Sequence, residues 1–340
     1  MLLRDLTIEN YRSFDKYRLD NLARVNLLVG DNNCGKTSVL EAAFLLAAEG
    51  HFAVLHHILV VREDCSYGPA SAGPSSNLLV HADSIFHKDI TRQPQNDHQA
   101  SLKIKGVRGS LPDSTPLELE YSVGPSKQTT TTPAPWSVNG RESLLRMRYQ
   151  KGSESLDGEA ELDRLGRMAA TATVNRGFSP SARPALFIPW KGLTTPQIAM
   201  IWKSLLPSRR EQYAVESMRI IDSSVVDIIP SPDMQNLRDI YVDIGAKRVP
   251  MSQLGGGALN MMSIGCGLGF ATNSGFLFID EIDTGLHYSR LPDMWRMVIQ
   301  SAKDLDVQVF ATTHSLDCIR GLAAAVRDDE SFVDDVAIFK

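Results

Sequence analysis

The 340-residue chain has few cysteines, and Cys34, Cys65, Cys266 and Cys318 form no CxxC pair and no zinc-like spacing. That argues against a disulfide framework and fits a reducing compartment. No apolar run approaches the roughly 18 residues needed to cross a bilayer. The opening MLLRDLTIENYRSF alternates like a strand and lacks the apolar core of a signal peptide. Positive charge is not in excess: the formal net charge is −5, so no global field draws the protein to nucleic acid or acidic lipid. There is no internal repeat, and residues 51–180 carry no coiled-coil heptads. What remains is ordinary globular composition, 43% apolar and 22% charged, in a chain long enough for one large α/β domain or two modest ones. A cytoplasmic protein without a membrane partner is the expectation.

Patterning divides the chain into three stretches. Residues 2–9 and 24–30 read as strands, the second apolar enough to be central, and 35–49 reads as a helix ending at Gly50. Residues 51–180 are rich in Ser, Pro, Gly and Thr. Two alternating strands stand out there, at 101–107 and 116–123, and TTTTPAP at 129–135 is a loop signal. This middle stretch reads as an antiparallel β subdomain with an insertion. After it come a strand at 185–189 and helices at 196–206 and 209–220. A glycine cluster then leads into a helix at 258–271, a strand at 276–280, a helix at 288–303, a strand at 307–312, a helix at 316–326 and a last short strand at 336–339. Strands alternating with helices at both ends predict a mostly parallel central sheet covered on two faces, within one domain spanning 1–340.

The first chemical constellation is Gly30-Asp31-Asn32-Asn33-Cys34-Gly35-Lys36-Thr37, followed by Ser38. It matches the P-loop pattern GxxxxGK[ST]. The glycines let successive backbone N–H groups curl around phosphates, Lys36 reaches the β and γ oxygens, and the Thr37 hydroxyl is a Mg²⁺ ligand. A strand before it and a helix after it are the context this motif requires.

The second is Phe276-Leu277-Phe278-Ile279-Asp280-Glu281. An apolar strand delivers a carboxylate at its C-terminal end, where α/β sheets bind ligands. Asp280 suits Mg²⁺, and Glu281 beside it can orient and deprotonate a water. A phosphotransferase acting on a small molecule needs only the metal-holding aspartate, because its substrate brings the nucleophile. The adjacent glutamate therefore points to hydrolysis. One strand later, Ala311-Thr312-Thr313-His314-Ser315 sets a histidine where a neutral imidazole can hydrogen-bond a γ-phosphate.

Four segments in order, IENYRSF (8–14), GDNNCGKTS (30–38), FIDEIDTGLH (278–287) and ATTHS (311–315), resemble the ABC-like ATPases of the OLD, RecF and SMC group. The nearest look is to stand-alone AAA-type members of bacterial anti-phage systems. The resemblance covers about 1–50 and 180–340 well and the middle loosely. It implies an α/β P-loop NTPase fold of ABC type, ATP and Mg²⁺ as cofactors, and a homodimer or larger homo-oligomer. In that assembly the P-loop of one copy faces the signature loop of another across ATP. It also implies that Arg12 and Ser13 lie beside the nucleotide and that 282–287 is the D-loop. The signature segment would be Met251-Ser252-Gln253-Leu254-Gly255-Gly256-Gly257-Ala258-Leu259-Asn260, whose glycines can expose N–H groups to an anion. The family pattern puts a serine about where Gly255 stands and often a basic residue after the last glycine. Ser252 is then the candidate replacement hydroxyl, and slow hydrolysis by a nucleotide-gated switch is expected. OLD proteins carry a nuclease after the ATPase. This sequence stops soon after the histidine-bearing strand, so the expectation is either an effector nuclease on a separate chain or a sequence that is a piece of a longer protein.

Two readings stay open beside that one. A RecF- or SMC-like clamp would bind DNA, with Arg141, Arg146, Arg148 and Lys151 or the Arg209-Arg210 pair as its basic surface. A P-loop phosphotransferase would leave His314 and the triple glycine without a role. His51, His56 and His57 lack partners at metal-ligand spacing.

Overall fold

The computed structural model describes residues 2–67, 78–87, 100–109, 113–125, 141–163, 165–169, 173–176, 183–230 and 240–340. The TTTTPAP loop expected at 129–135 lies outside these. The chain forms two compact units, one from Leu3–Asp20 with Glu41–Ala182 and one from Asn21–Leu40 with Arg183–Lys340.

The first unit is built on a seven-stranded antiparallel sheet. Its spatial order is β11 (Thr173–Arg176), β9 (Glu154–Asp163), β8 (Arg141–Lys151), β7 (Thr115–Pro125), β6 (Ser101–Arg108), β1 (Leu3–Tyr11) and β2 (Phe14–Asp20). One face takes the alternate apolar residues, among them Leu6, Ile8, Leu102, Ile104, Leu119, Tyr121, Leu145 and Met147, all buried. Period-two alternation is what a sheet with one covered face requires. Tyr121 donates its hydroxyl to the carbonyl of Gly50 at 2.6 Å and meets Phe52 edge to face at 5.9 Å. Phe52 opens α2 (Phe52–Val61). A second sheet holds β10 (Arg167–Ala169), β5 (Leu78–His81) and β4 (Cys65–Tyr67), all antiparallel.

The opposite face of the large sheet carries cross-strand ion pairs. Lys103 reaches Glu118 and Glu120, Lys105 reaches Glu9, Arg146 reaches Glu159 and Arg148 reaches Asp157, at 3.1–3.7 Å. Opposite charges facing one another across paired strands favour this register.

The second unit centres on five parallel strands in the order β12 (Ala185–Ile188), β16 (Phe276–Ile279), β17 (Gln308–Thr313), β3 (Val25–Val29) and β18 (Val336–Phe339). Every residue of β16 and β17 is buried, as expected of parallel strands covered on both faces. The helices of this unit are the start of α1 (Lys36–Ala47), which leaves the loop after β3 and from Glu41 on belongs to the first unit, then α3 (Thr195–Leu205), α4 (Gln212–Ile221), α5 (Gly256–Phe270), α6 (Leu291–Asp304) and α7 (Leu316–Asp328). A small antiparallel sheet of β13 (Asp227–Pro230), β14 (Ile240–Asp243) and β15 (Arg248–Pro250) completes the unit.

Helix α5 is buried almost all round, and glycines make its fit possible. A Cβ at Gly265 would lie 2.6 Å from the Ala214 backbone on α4, and one at Gly267 would lie 2.7 Å from Leu277 on β16. Trp295 on α6, fully buried, donates its indole N–H to the Cys318 carbonyl of α7 at 3.0 Å.

The expected parallel α/β sheet with a separate antiparallel sheet is what the chain forms. Several elements differ from the sequence expectation. Residues 52–61 are helical inside the stretch read as β structure, and Phe14–Asp20 is a strand not foreseen. The helix expected from 288 starts at Leu291, behind a 3₁₀ turn at Tyr288–Arg290, with Pro292 in its first turn, a position proline tolerates well. Among the described residues, no helix is long and apolar enough to cross a membrane.

Candidate functional site

Three neighbouring parallel strands, β16, β17 and β3, end at one edge of the sheet and deliver the chemistry there. β3 runs into the 30–37 loop, β16 into Asp280 and Glu281, and β17 into His314. The carboxyl edge of a parallel sheet is where such folds place ligands.

The loop is open and its backbone is presented outward. Asp31, Asn32, Asn33 and Cys34 are exposed, and Gly35 and Asn33 have φ of +97° and +62°. Glycine meets the first of these without steric cost. A Cβ on Gly30 would lie 2.9 Å from the Cys34 sulfur. The Lys36 ammonium folds over the loop and donates to the carbonyls of Gly30 at 2.8 Å and Asp31 at 2.7 Å. Ser38 is buried in the first turn of α1, where Val39 N–H donates to the Gly35 carbonyl at 3.0 Å.

Asp280, only 7% exposed, gathers hydroxyls. Thr37 Oγ1 donates to its two oxygens at 3.1 and 3.2 Å, and Thr312 Oγ1 donates to Oδ1 at 2.7 Å. The next residue, Glu281, has φ of +50°, in the left-handed region that non-glycine residues seldom occupy. Its N–H donates to Thr312 Oγ1 at 2.8 Å. The Glu281 side chain is partly open and lies 3.3 Å from His314 Nδ1. A hydroxyl and a carboxylate already hydrogen-bonded at the foot of a phosphate loop form the oxygen donor set that a hard divalent cation takes. A carboxylate touching an imidazole beside them can hold a water and move its proton.

The turn after Glu281 is clamped on two sides. Ile282 N–H donates to the Thr312 carbonyl at 3.1 Å, and Thr313 Oγ1 donates to Asp283 at 2.7 Å. From α5, the buried Asn260 amide donates to the carbonyls of Ile282 at 2.9 Å and Thr284 at 3.1 Å. Gly285, with φ of +75°, lies against Gly257 so closely that a Cβ on Gly257 would come within 2.3 Å of the Gly285 oxygen. The segment expected to be the signature loop is therefore joined to the segment expected to be the D-loop. Its other glycines are free: Gly255, with φ of +81°, and Gly256 are exposed, and a Cβ on either would meet nothing within 4 Å. Ser252 is exposed in the 3₁₀ turn just ahead.

Arg12 and Ser13 belong to the first unit, at the turn between β1 and β2. Ser13 is exposed there. Arg12 enters a buried charge network: its Nε lies 3.0 Å from Glu41 and its Nη1 3.1 Å from Asp64. Arg62 also pairs with Glu41, and the Tyr11 hydroxyl donates to Glu41 at 3.2 Å. Burial alone would lower the Arg12 pKa, but Tyr11, Glu41 and Asp64 outweigh it and raise the pKa. Burial, reinforced by Glu41, pushes the Tyr11 phenol up. Within the Arg12 guanidinium, Nη2 is buried without a hydrogen-bond partner.

Of the basic residues considered for nucleic acid, Arg146, Arg148 and Lys151 each face a carboxylate of β9, namely Glu159, Asp157 and Glu154, and Arg210 donates to the neutral Thr272 hydroxyl at 2.6 Å. Among the described residues, no group of His, Cys, Asp and Glu could hold a metal ion by itself. Burial lowers the pKa of His56 and His57.

Sequence reasoning placed Thr312, Asn260 and Gly285 inside its motif segments but gave none of them a role of its own. A signal existed for the first: Thr312 is a polar residue in an otherwise apolar stretch, and a buried hydroxyl must find partners.

Comparison with known proteins adds four findings. A family profile described as an AAA ATPase domain matches residues 1–104. The chain is 21% identical over 348 aligned residues to an ATP/GTP phosphatase of Helicobacter pylori, covering 97% of this chain and 90% of that protein. It is 30% identical over 132 residues to the DNA replication and repair protein RecF of Vibrio campbellii, where it spans only 34% of the relative. Among solved structures, an SMC head bound to the C-terminal winged-helix domain of ScpA superposes with a TM-score of 0.51 at 13% identity, over 94% of this chain and 91% of that one. That likeness concerns the fold.

Proposed function

We propose that this chain, an ABC-like P-loop ATPase of the RecF and SMC group, is a nucleotide-gated switch that binds ATP with Mg²⁺ and hydrolyses it slowly. The observation that carries the reading is the convergence of Thr37, Asp280, Glu281 and His314 at the ends of three adjacent strands, with Thr37 already hydrogen-bonded to Asp280.

In this reading the 30–37 loop wraps the phosphates with its backbone N–H groups, and Lys36 leaves the Gly30 and Asp31 carbonyls for the β and γ oxygens. Thr37 and Asp280 would hold Mg²⁺, which would supply charge neutralisation at the phosphoryl oxygens. Glu281 orients the attacking water and takes its proton. The one N–H of a neutral His314 imidazole donates either from Nδ1 to the Glu281 carboxylate, 3.3 Å away, or in the other tautomer from Nε2 to the γ-phosphate. Gly255 and Gly256, whose surroundings are open, lend their N–H groups to the γ-phosphate of a second copy, so that two copies close over ATP. Slow turnover follows from the missing serine at Gly255 and the missing basic residue after Gly257.

The resemblance of the four motifs to anti-phage ATPases supports a role as the ATPase subunit of a defence complex with a separate effector nuclease. The RecF relative supports a second reading, an ATPase that handles DNA. Against it, Arg146 and Arg148 of β8 already face Glu159 and Asp157 of β9.

The test is mass measurement of the full chain with and without a slowly hydrolysed ATP analogue, with Lys36→Ala beside it. A dimer or larger oligomer formed only with nucleotide, and only by the unmodified chain, is expected. A monomer that releases phosphate from ATP at full rate would refute the two-copy reading, and phosphate transferred to an acceptor instead of water would refute hydrolysis. Salt-sensitive DNA binding stimulated by ATP would select the DNA-handling alternative.

A further inference from the structure

We propose that Thr312 is a positioning residue for hydrolysis: its single hydroxyl ties the metal-holding carboxylate of Asp280 to the backbone of the base Glu281. The inference rests on the roles given to Asp280 and Glu281 above.

The hydrogen bonding permits one arrangement. Glu281 N–H can only donate, so at 2.8 Å the Thr312 oxygen accepts from it. The one hydroxyl proton is then free for Asp280 Oδ1 at 2.7 Å. Thr312 is fully buried, so water has no access to replace either bond. Its carbonyl takes the next N–H, that of Ile282, at 3.1 Å. One residue of β17 thus satisfies two consecutive donors of the turn beyond β16. The first of these belongs to Glu281, whose φ of +50° has to be held by its surroundings. On the other side Asp280 receives Thr37. The series runs Glu281 N–H to Thr312, Thr312 to Asp280, and Thr37 to Asp280. It joins the base, the carboxylate and the phosphate loop, with the fully buried Thr312 hydroxyl at its centre.

Valine has the shape of threonine without its hydroxyl. Thr312→Val keeps the backbone carbonyl and the packing, strands the Glu281 N–H without an acceptor and frees the Asp280 carboxylate to turn. Thr312→Ser keeps the hydroxyl and loses a methyl. Both would be made in the full chain, with Thr312→Ala as a second hydroxyl-free variant and Asp280→Asn and Glu281→Gln as references. The measurements are kcat and KM for ATP, the Mg²⁺ concentration giving half-maximal rate, the affinity for a fluorescent ATP analogue with and without Mg²⁺, and Tm.

For Thr312→Val, kcat should fall about 10–100-fold, the usual effect of losing a group that orients a metal ligand. The Mg²⁺-free affinity should hold, while KM measured with Mg²⁺ and the Mg²⁺ requirement rise and the gain in affinity on adding Mg²⁺ shrinks. Thr312→Ala should repeat the Mg²⁺ effect, and Thr312→Ser should restore both kcat and the Mg²⁺ response. Unchanged kcat and Mg²⁺ response in Thr312→Val, with hydrolysis lost in both references, would overturn the proposal and leave the site reading standing. Thr312→Ser impaired as deeply as Thr312→Val would also overturn it, by assigning the effect to packing. Hydrolysis surviving in Asp280→Asn and Glu281→Gln would overturn the site reading beneath it.

Discussion

Adding one methyl group at Gly257 tests how tightly the glycine segment is fastened to the turn beyond the base. The Gly257 backbone has no positive φ, so alanine suits its conformation. Its Cβ, however, would sit 2.3 Å from the Gly285 oxygen and 3.0 Å from the Gly285 carbonyl carbon, where ordinary contact begins near 3.4 Å. Relief requires the α5 N-terminus and the 282–286 turn to part by about 1 Å, and overpacking of this kind costs about 1–3 kcal/mol. The displaced turn begins one residue after Glu281. A misplacement of about 1 Å at a reacting group can cost on the order of 10²-fold in rate, so Gly257→Ala should lose roughly that much kcat. The 30–37 loop is untouched, and ATP affinity of the monomer should hold. Gly256→Ala is the internal control, because a methyl there meets nothing within 4 Å. Its Tm should match that of the unmodified chain. The assays are steady-state phosphate release, binding of a fluorescent ATP analogue and thermal melting, run side by side on both variants. A Gly257→Ala protein with unchanged kcat and Tm would refute the reasoning. So would equal loss of binding, hydrolysis and Tm, which would mean simple misfolding.

Glu281→Gln should keep ATP affinity and accumulate an ATP-bound dimer detectable by mass, whereas turnover at the original rate would remove Glu281 from the mechanism. Glu41→Gln leaves Arg12 and Arg62 short of their shared carboxylate in a site where Glu41 is 2% exposed; breaking a buried pair of this kind costs about 3–5 kcal/mol. Urea unfolding should show that loss, and an unchanged midpoint would mean the network adds nothing. Tyr121→Phe removes the hydrogen bond to Gly50 and should cost about 1–3 kcal/mol, the penalty of an unmet buried acceptor. Thermal melting reads it directly.

What could be read in the sequence was mainly what one strand or helix states on its own. The apolar strands β3, β16 and β17, the glycine loop and the Asp280-Glu281 pair are local patterns, and each stands where expected. The misses depend on partners distant in sequence. FAVLHHILVV at 52–61 is an apolar run with no polar face to mark its period, and its neighbours are loop-forming residues; its helical state follows from packing. Phe14–Asp20 alternates, but its outward positions are charged and its pairing with β1 is set by the fold. Arg146 and Arg148 looked like a patch because Glu159 and Asp157 meet them only through the register of β8 with β9. Thr312 and Asp280 are 32 positions apart, and no periodicity links a hydroxyl on one strand to a carboxylate on the next. Asn260 is the same case across a helix and a turn.

Helix α5 contrasts a fixed shaft with a loose tip. From Gly257 to Gly269 it is walled in by α4 and β16, with glycines where neighbouring atoms leave no space for a side chain, while Gly255 and Gly256 stand clear. Amide protons along the shaft should trade with deuterium only when the whole unit opens, and those of the tip should do so within seconds. A body that does not yield, ending in a few unconstrained peptides, lets the tip shape itself to whatever it touches while any push it receives passes undamped into the turn beside Gly285.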